Sequence, residues 1–173
     1  MQVIVTGGSG FIGSHVIDAL RCAGHTVTNV DIRNGGQGDH YTSMDIRDVD
    51  QLARVMERHG RNAVFHLAGI ANARQALDDP VTAVDMNVRG TASVLEAARQ
   101  AGVHRVIQAS TVWFYNAVDR LSPAGSTEPR LLDEASPVLP QGGGHVYTTS
   151  KIASELLCHD FYKLYGQEFT VLR

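Results

Sequence analysis

Short runs of β-branched residues alternate along the chain with longer stretches of helical periodicity. This alternation is typical of an α/β domain with a parallel sheet, because parallel strands must be joined by crossover connections. Right-handed crossovers would place helices on both faces of the sheet. The predicted strands are 3–5, 26–30, 41–44, 63–67, 105–109 and 169–172, and the predicted helices are 11–23, 49–59, 81–101 and 146–165.

Two stretches interrupt this pattern, and both are rich in turn-forming residues. Residues 33–40 contain three glycines, and residues 116–145 contain four of the five prolines. Because structureless loops longer than about 15 residues are usually functional or disordered, we expect 116–145 to form a lid on the substrate side. Gly102 is expected to end the 81–101 helix as its C-cap.

Length, charge and cysteine content exclude several classes of protein. With 173 residues, 43% of them hydrophobic, the chain is long enough for one domain with a core. Its net charge of −3 makes nucleic acid an unexpected partner. Cys22 and Cys158 are too few for a disulfide framework, and the start resembles neither a signal peptide nor a membrane span. We therefore expect a cytoplasmic protein with no membrane contact.

A glycine-rich turn, Thr6-Gly7-Gly8-Ser9-Gly10-Phe11-Ile12-Gly13, joins the first strand to the first helix. Two spacings overlap in it, G-x-G-x-x-G and G-x-x-G-x-x-G. A strand, a tight glycine turn and a helix N-terminus together form a site for a pyrophosphate, because the backbone can approach closely and its free N–H groups point at the anion. The turn therefore predicts a Rossmann-type, doubly wound sheet that binds a dinucleotide.

Asp31 ends the second predicted strand, 18 residues after Gly13. An acid about 20 residues beyond the glycine motif hydrogen-bonds the adenosine ribose, and its charge repels a 2′-phosphate. We therefore expect NAD rather than NADP as the cofactor, although Arg33 nearby reduces the discrimination. The alternative is that Asp31 is only a turn residue at the end of a strand.

Further motifs follow in order: Asp45-Ile46-Arg47-Asp48, His66-Leu67-Ala68-Gly69, Asn87-Val88-Arg89-Gly90-Thr91, Ser110-Thr111 and Tyr147-Thr148-Thr149-Ser150-Lys151. With the glycine turn, they resemble the extended short-chain dehydrogenase/reductase superfamily and, within it, the NAD-dependent epimerase/dehydratase family that acts on sugar nucleotides. The resemblance implies an adenine-binding turn at 45–48 and a cofactor-lining strand end at 66–69. The cofactor-binding residues it implies are Gly7, Gly10, Phe11, Ile12, Gly13, Asp31, Asp45, Ile46, Leu67, Ala68, Gly69, Asn87, Tyr147 and Lys151.

The candidate catalytic residues are Thr111, Tyr147 and Lys151. Tyr147 and Lys151 lie four apart on a predicted helix, so they share one face about 6 Å apart. A tyrosine of pKa near 10 is a poor base at neutral pH, but a neighbouring ammonium favours its phenolate. Tyr147 is therefore the candidate acid/base. Lys151 would lower the pKa of Tyr147 and bind the nicotinamide ribose, and Thr111 would orient the substrate oxygen.

Two histidines and an aromatic run have alternative interpretations. His66 lacks ligand spacing to other histidines, so packing or hydrogen bonding is expected and no metal site is predicted. His145 is interpreted as a loop residue, with substrate contact as the alternative. The run 113–115, Trp-Phe-Tyr, is equally compatible with a pocket wall and with a core cluster.

The chain also departs from the family pattern. Phe114-Tyr115-Asn116 replaces Val-Tyr-Gly, and Thr148 replaces the glycine after the catalytic tyrosine. Val112-Trp113 stands where dehydratases of the family carry an Asp-Glu pair, so dehydration is disfavoured.

The resulting expectation is a sugar-nucleotide epimerase that transfers hydride reversibly to NAD. The alternatives are an NAD(P)-dependent reductase or dehydrogenase of a non-sugar carbonyl or alcohol, and a noncatalytic NAD-binding module. Family members are longer, so residues 1–173 are expected to be the NAD-binding domain, with the substrate domain largely absent. The two long predicted helices imply a homodimer, although burial within the monomer is the alternative.

Overall fold

The computed structural model describes residues 1–115, 133–137 and 144–173, which form a single six-stranded sheet. The strands are β1 (Gln2–Thr6), β2 (Thr26–Asp31), β3 (His40–Ser43), β4 (Ala63–His66), β5 (Arg105–Ala109) and β6 (Glu168–Leu172). The helices are α1 (Phe11–Cys22), α2 (Val49–His59), α3 (Ala73–Asp78), α4 (Pro80–Val84), α5 (Gly90–Ala101) and α6 (Val146–Tyr165). A π-helical turn, Asp85–Arg89, joins α4 to α5, and a 3₁₀ turn, Val112–Tyr115, follows β5.

All neighbouring strands are parallel, in the order β3-β2-β1-β4-β5-β6. The chain therefore starts in the middle of the sheet, moves outward to β3 and then returns to the other side of β1. This is the predicted Rossmann-type topology, and its direction reverses between β1 and β4. Ligands of such sheets bind at this switch point, outside the carboxyl ends of the strands.

The core lies on both faces of the sheet. On one face, α2, α5 and α6 cover a large cluster that includes Ile4, Val64 and Leu95. On the other, within the described residues, α1 covers a smaller cluster around Val5 and Ile17. Successive residues of β1 point to opposite faces, so Ile4 belongs to the large cluster and Val5 to the small one. A strand buried on both faces therefore has a continuous apolar sequence rather than an alternating one.

The predicted helix 81–101 is correct in extent but wrong in continuity. The turn Asp85–Arg89 is π-helical, with the Gly90 N–H donating to the Asp85 carbonyl five residues back. Gly102, in the left-handed conformation at φ 67°, ends the helix as predicted. Such wide turns contain one residue more than an α-helical turn and are frequent at functional sites.

The short helix α3 was not predicted from the sequence. Its N-cap is Asn72, whose side-chain oxygen accepts the N–H groups of Arg74 and Gln75 at 2.8 and 3.1 Å. Asp79 then caps α4, with Pro80 at its first position. Both signals are present in the sequence, since Asn and Asp are preferred N-caps and proline is favoured at the first helical position.

The other predicted elements agree with the structure to within one or two residues at each end, and α2 and α6 have the predicted bounds. Most of the predicted lid, 116–145, lies outside the described residues; within it, 133–137 form a turn and Gly144 and His145 lead into α6. Residues 33–39 contain no helix or strand, as expected. In the described part of the chain, no helix has the length and hydropathy needed to cross a membrane.

Candidate active site

The glycine turn lies at the carboxyl end of β1, and close backbone packing requires its glycines. Gly7 has a φ of 74°, and a Cβ built on it would lie 2.6 Å from the backbone nitrogen of Ala68. A Cβ on Gly13 would lie 2.3 Å from the Gly7 carbonyl oxygen. Both approaches are shorter than real Cβ contacts allow, so a side chain at either position would push α1 or the end of β4 away from the turn.

The N-terminus of α1 begins directly after this turn. The first N–H groups of a helix have no partner within the helix, and together with the helix dipole they attract an anion. Phe11 and Ile12, the first two residues of α1, are exposed, at 82% and 61% of their surface. The turn therefore presents a backbone cradle flanked by accessible apolar side chains, which fits the pyrophosphate of a dinucleotide.

Asp31 lies beside the turn, at the end of β2, and is nearly buried. Its carboxylate accepts the Ser9 N–H at 3.0 Å and the backbone N–H and Nε of Arg33 at 3.0 and 3.2 Å. Burial alone would raise the pKa of Asp31, but the hydrogen bonds from Arg33 and Ser9 outweigh it and lower the pKa. Asp31 is thus an ionised acceptor at the position predicted for ribose recognition, and Arg33 covers it from the solvent side.

Three predicted cofactor residues follow β4 at the same edge of the sheet. The Leu67 N–H donates to the Thr6 carbonyl at 3.0 Å, which extends the β1–β4 pairing by one residue. Ala68 is the residue that Gly7 approaches, and Gly69 has a φ of 147°. A Cβ on Gly69 would lie 2.7 Å from Asn87 Oδ1. The structure therefore brings the end of β4, the glycine turn and Asn87 together.

Asn87 lies in the π-helical turn and connects three elements. Its Oδ1 accepts the Ile70 N–H at 2.8 Å, and its Nδ2 donates to the Ile70 carbonyl at 3.0 Å and to Ser150 Oγ at 2.9 Å. Its own carbonyl accepts hydroxyl groups from Thr91 and Ser154. The direct partners of this predicted cofactor residue are thus protein groups, which fix the loop after β4 against α6.

His66 is a buried, neutral structural residue, as its interpretation from the sequence predicted. Its ring nitrogens pair with Thr6 Oγ1 at 2.8 Å and Thr91 Oγ1 at 3.2 Å. Burial, together with the nearby charge of Lys151, lowers the pKa of His66 to about 3. Among the described residues, no group of three or more His, Cys, Asp or Glu side chains could hold a metal ion.

Lys151 reaches the carboxyl edge of the sheet from α6. Its Nζ donates to the Ala109 carbonyl at 3.1 Å, and a Cβ on Gly69 would lie 4.0 Å from the same nitrogen. Burial lowers the pKa of Lys151 to about 8, and the charge of Glu155, one helical turn away, partly counteracts this effect. The ammonium form therefore still predominates at neutral pH, and its acceptor, Ala109, is two residues before Thr111.

Tyr147 is half-buried, one turn before Lys151 on α6, and an aromatic contact connects it to the end of β5. Its ring lies 6.2 Å from the Trp113 ring, edge to face, and 6.0 Å from the His145 ring. The backbone N–H of Trp113 in turn donates to Thr111 Oγ1 at 3.2 Å. Thr111, Tyr147 and Lys151 are thus grouped around the carboxyl end of β5, where Trp113 contacts both Thr111 and Tyr147.

The aromatic run divides into two buried residues, which form a core cluster, and one partly exposed residue. Phe114 and Tyr115 are buried with Ile152 in a small core cluster. Trp113 is 42% exposed and packs against His145 at 4.7 Å. His145 is also the N-cap of α6, accepting the Thr148 N–H at 3.3 Å.

One ion pair near the site was not predicted from the sequence. Arg173 donates to both carboxylate oxygens of Glu155, and it also donates to the Tyr115 hydroxyl at 2.5 Å. Glu155 is only 4% exposed, and a carboxylate buried to this extent needs a partner for its charge. The guanidinium of Arg173 is that partner. No local pattern relates residues 18 positions apart, so this pairing follows only from the three-dimensional fold.

Because the pKa of Lys151 is lowered, the stability of the protein should depend on pH through this residue. Below about pH 8 the buried ammonium destabilises the folded state, and between pH 8 and the ordinary value of 10.5 the unfolded chain keeps a proton that the folded chain has released. We expect the free energy of unfolding of the wild type, relative to Lys151→Met, to rise by about 3 kcal/mol across this interval. Denaturant titrations at a series of pH values measure the difference.

Lys163→Met is the matched control, since Lys163 lies on the same helix but is exposed. Its stability relative to the wild type should stay constant over the same interval. A constant difference for Lys151→Met as well would contradict the lowered pKa of Lys151.

Comparisons with known proteins agree with this geometry. The model of a family described as "NAD dependent epimerase/dehydratase family" matches residues 3–173. A UDP-glucose 4-epimerase of Mycolicibacterium smegmatis is 30% identical over 176 residues, covering 95% of this chain and 52% of the relative. The chain thus spans about half the length of the curated relatives it matches.

Solved structures resemble the fold over the full length of the chain. The UDP-glucose 4-epimerase of Thermotoga maritima, solved with UDP-glucose, has a TM-score of 0.84 at 29% identity, with 100% of this chain and 55% of that chain covered. The UDP-glucose 4-epimerase of Thermus thermophilus, solved with NAD, has a TM-score of 0.82 at 30% identity, with 100% and 54% covered.

Proposed function

Because this chain belongs to the NAD dependent epimerase/dehydratase family, we propose that it is the NAD-binding part of a sugar-nucleotide epimerase. One observation carries the proposal: the glycine turn, Asp31 and the group Thr111, Tyr147 and Lys151 all lie along the carboxyl edge of one parallel sheet. This edge is where a dinucleotide lies across a sheet of this topology. The domain proposed for this role is 1–173.

The binding of NAD is supported by the cradle at α1 and by the ionised carboxylate of Asp31. The glycine turn would hold the pyrophosphate, and Asp31 would accept hydrogen bonds from the adenosine ribose hydroxyls. At the other end of the edge, Lys151 Nζ lies between Gly69 and the Ala109 carbonyl, where it would donate to the nicotinamide ribose. In the relative from Thermus thermophilus, NAD is bound.

The proton chemistry follows from the group at the end of β5. When bound, NAD would supply a hydride acceptor for a carbinol carbon. Tyr147 would take the hydroxyl proton as that carbon is oxidised, because the Lys151 ammonium, together with the positive nicotinamide, favours the tyrosinate. Thr111, held by the Trp113 N–H, would orient the reacting oxygen. Returning the hydride to the other face of the ketone, with the proton returned by Tyr147, inverts the carbon.

Epimerisation is preferred over dehydration for a chemical reason. Elimination of water needs an additional acid and base beside the catalytic threonine, but the next two residues are Val112 and Trp113, which carry no carboxylate. A reductase that releases NADH would use the same residues and is the second candidate. A noncatalytic NAD-binding module is disfavoured, because Thr111, Tyr147 and Lys151 are all present, and binding of NAD alone does not require an acid/base tyrosine.

One experiment separates these functions. A complete enzyme, in which this domain is joined to a substrate domain, is loaded with NAD and incubated with UDP-glucose or UDP-galactose, and both the sugar configuration and the oxidation state of the cofactor are followed. Interconversion with no net change in NAD supports the epimerase. Stoichiometric NADH with another alcohol supports the reductase, and tight NAD binding without either change supports the noncatalytic module.

We also propose that two copies of the chain associate, in a cytoplasmic protein. An open groove of about 760 Å³ runs along α4, α5 and α6, and its walls include Val84, Val88 and Leu157. Val81, on α4, belongs to the same wall and is 78% exposed, so an apolar side chain faces solvent beside other apolar side chains of the groove. A second copy related by a two-fold axis would bury such a surface on both molecules.

The free thiols of Cys22 and Cys158 fit a reducing compartment.

Val81→Asp tests this association, because it would place an unpaired charge in the buried centre of the interface. We expect the dimer dissociation constant to rise by at least about tenfold, as judged by sedimentation equilibrium. Ile32→Asp, at an exposed aliphatic residue that follows β2 and is not part of the groove, is the control and should leave the dissociation constant unchanged. A wild type that stays monomeric at micromolar concentration would contradict the proposal.

A further inference from the structure

A buried ion pair lies one helical turn beyond Lys151. Glu155 follows Lys151 by four residues on α6, so the two side chains leave the helix on the same face. Lys151 is 7% exposed and Glu155 is 4% exposed. Because solvent and salt screen buried charges much less than exposed ones, each of these two groups acts strongly on the other.

Arg173 fixes the Glu155 carboxylate in this position. Its Nη2 donates to Glu155 Oε2 at 2.7 Å, and its Nε donates to the two carboxylate oxygens at 3.1 and 3.3 Å. A planar fork of this kind sets the orientation of the carboxylate as well as compensating its charge. An ionised carboxylate can therefore be kept in the interior, next to Lys151.

The same guanidinium reaches the 3₁₀ turn Val112–Tyr115, which directly follows Thr111. Its Nη1 donates to the Tyr115 hydroxyl at 2.5 Å, and its Cζ lies 4.9 Å from the centre of the Phe114 ring and 5.5 Å from that of the Tyr115 ring. Arg173 thus connects α6, which carries the lysine and the tyrosine of the proposed site, to the segment that carries the threonine.

The other titratable groups near Lys151 do not offer a negative charge at neutral pH. His66, on β4, is neutral, because burial lowers its pKa to about 3. Tyr147, one turn earlier on α6, is the group whose phenolate the ammonium is proposed to favour. The charged groups of the elements that pack around α6 form pairs of their own that solvent reaches: Arg74 with Asp78 on α3, Asp85 with Arg89 in the π-helical turn, Glu96 with Arg99 on α5, and Arg105 with Glu168 on β5 and β6.

Two opposing effects therefore set the charge of Lys151. Burial lowers its pKa to about 8, although the carboxylate of Glu155 acts in the opposite direction. Without that carboxylate the pKa would fall further, and a large part of the lysine would be uncharged at pH 7 to 8. A neutral amine would no longer favour the phenolate of Tyr147.

We propose that Glu155 is a positioning residue of the active site: its carboxylate, held by Arg173, keeps Lys151 in the ammonium form that proton transfer by Tyr147 requires. The inference rests on the proposed function, because it assumes that Lys151 assists Tyr147 in that reaction. Glu155 acts through Lys151 and has no contact with substrate or cofactor in this arrangement.

The test follows the ionisation of Lys151 by NMR, in a chain labelled with carbon-13 at lysine. Lys151 and Lys163 are the two lysines of the sequence, so the side-chain signals are few, and Lys163→Arg assigns them. Glu155→Gln keeps the shape of the side chain and removes its charge, so we expect it to lower the midpoint of the Lys151 titration by at least about one pH unit. Glu155→Asp shortens the side chain and keeps the charge, so it should shift the midpoint by less than about half a unit.

Asp160→Asn is the matched control. Asp160 lies on the same helix, further from Lys151 than Glu155 is, and it is exposed. The variant removes the same charge from α6 and should leave the Lys151 midpoint unchanged, because solvent screens an exposed carboxylate at that distance. If Glu155→Gln is unstable, Glu155→Met combined with Arg173→Met removes the ion pair as a unit, which folded proteins often tolerate. The midpoint should fall in that double variant too, because the charge that acts on Lys151 is that of Glu155.

The consequence for the reaction is measured in a complete enzyme, substrate domain included. Glu155→Gln should lower kcat at pH 8 by at least about fivefold, because a shift of one unit reduces the protonated fraction of Lys151 from about one half to about one tenth. KM for the nucleotide-sugar should change by no more than about twofold, since the loss concerns proton transfer rather than binding. Glu155→Asp and Asp160→Asn should keep kcat within about twofold of the wild type.

Each outcome decides the proposal. A Lys151 midpoint that stays unchanged in Glu155→Gln, or that falls as far in Glu155→Asp, would show a role in packing alone and overturn it. A lowered midpoint with normal kcat would also overturn it, because the charge of Lys151 would then have no part in the reaction. A wild type without epimerase turnover would contradict the proposed function, while the NMR titration would still decide whether Glu155 maintains the ammonium.

Discussion

Replacing Tyr147 with Phe in a complete enzyme, substrate domain included, is expected to lower the turnover of the nucleotide-sugar by about 10² to 10⁴-fold, the usual contribution of a positioned acid/base. The change removes one hydroxyl group and keeps the ring, so the packing against Trp113 and His145 should persist. NAD affinity should change by no more than about twofold, because the substitution leaves the cradle at α1 and the Asp31 carboxylate in place. Steady-state kinetics and calorimetry on the same preparation measure both quantities.

Tyr162→Phe is the matched control for this prediction. Tyr162 lies on the same helix, half-exposed and about four turns further along. Turnover in that variant should equal that of the wild type. Near-normal turnover in Tyr147→Phe would assign the acid/base role to another group.

The second large effect is expected at Asp31 and concerns the choice of cofactor. The wild type should bind NAD at least about 100-fold more tightly than NADP, because a buried carboxylate repels the 2′-phosphate. Asp31→Ala should weaken NAD and strengthen NADP, reducing the ratio to about tenfold or less. The substitution removes the negative charge of Asp31. It also frees the Arg33 guanidinium, which donates to Asp31 in the wild type.

A double variant identifies the source of the gain in NADP affinity. Asp31→Ala with Arg33→Ala should lose the improved binding of NADP, because no cation remains to meet the phosphate. Asp39→Ala is the control: Asp39 also accepts a backbone N–H, from Val27, but it lies at the amino edge of the sheet. Equal affinities for NAD and NADP in the wild type would overturn the assignment of Asp31.

Local signals predicted most of the fold, because they act within a few residues. The start of α2 was predictable from the Asp48 N-cap, and the ends of α5 and α6 from the glycines that follow them, Gly102 and Gly166, both in the left-handed conformation. Each of these stops or starts a helix through one hydrogen bond or one backbone angle. The parallel, doubly wound sheet was predicted from the alternation of elements and from the position of the glycine turn.

Contacts between distant segments could not be predicted in this way. The bonds that Asn87 makes to Ile70 and Ser150 join residues 17 and 63 positions apart, and sequence spacing contains no information about them. The π-helical turn around Asn87 has no local residue signature either. The same holds for the way Arg33 covers Asp31, since an arginine two residues after an aspartate is equally compatible with a solvent-exposed side chain. The catalytic and cofactor roles of the residues remain predictions, although their placement at one edge agrees with them.

The extra residue in the turn Asp85–Arg89 sets the rotational phase of α4 relative to α5. Asn87 points inward to the loop after β4, while Asp85 and Arg89 face the groove. Deleting one residue here would turn α4 by about 100° about the helix axis, because each residue of an α-helix advances by that angle. Val81 and Val84 would then leave the groove wall, while α5 kept its contacts with the sheet. A single codon would thus be enough to change which surface the chain offers to another molecule without altering the strands that carry the proposed cofactor edge.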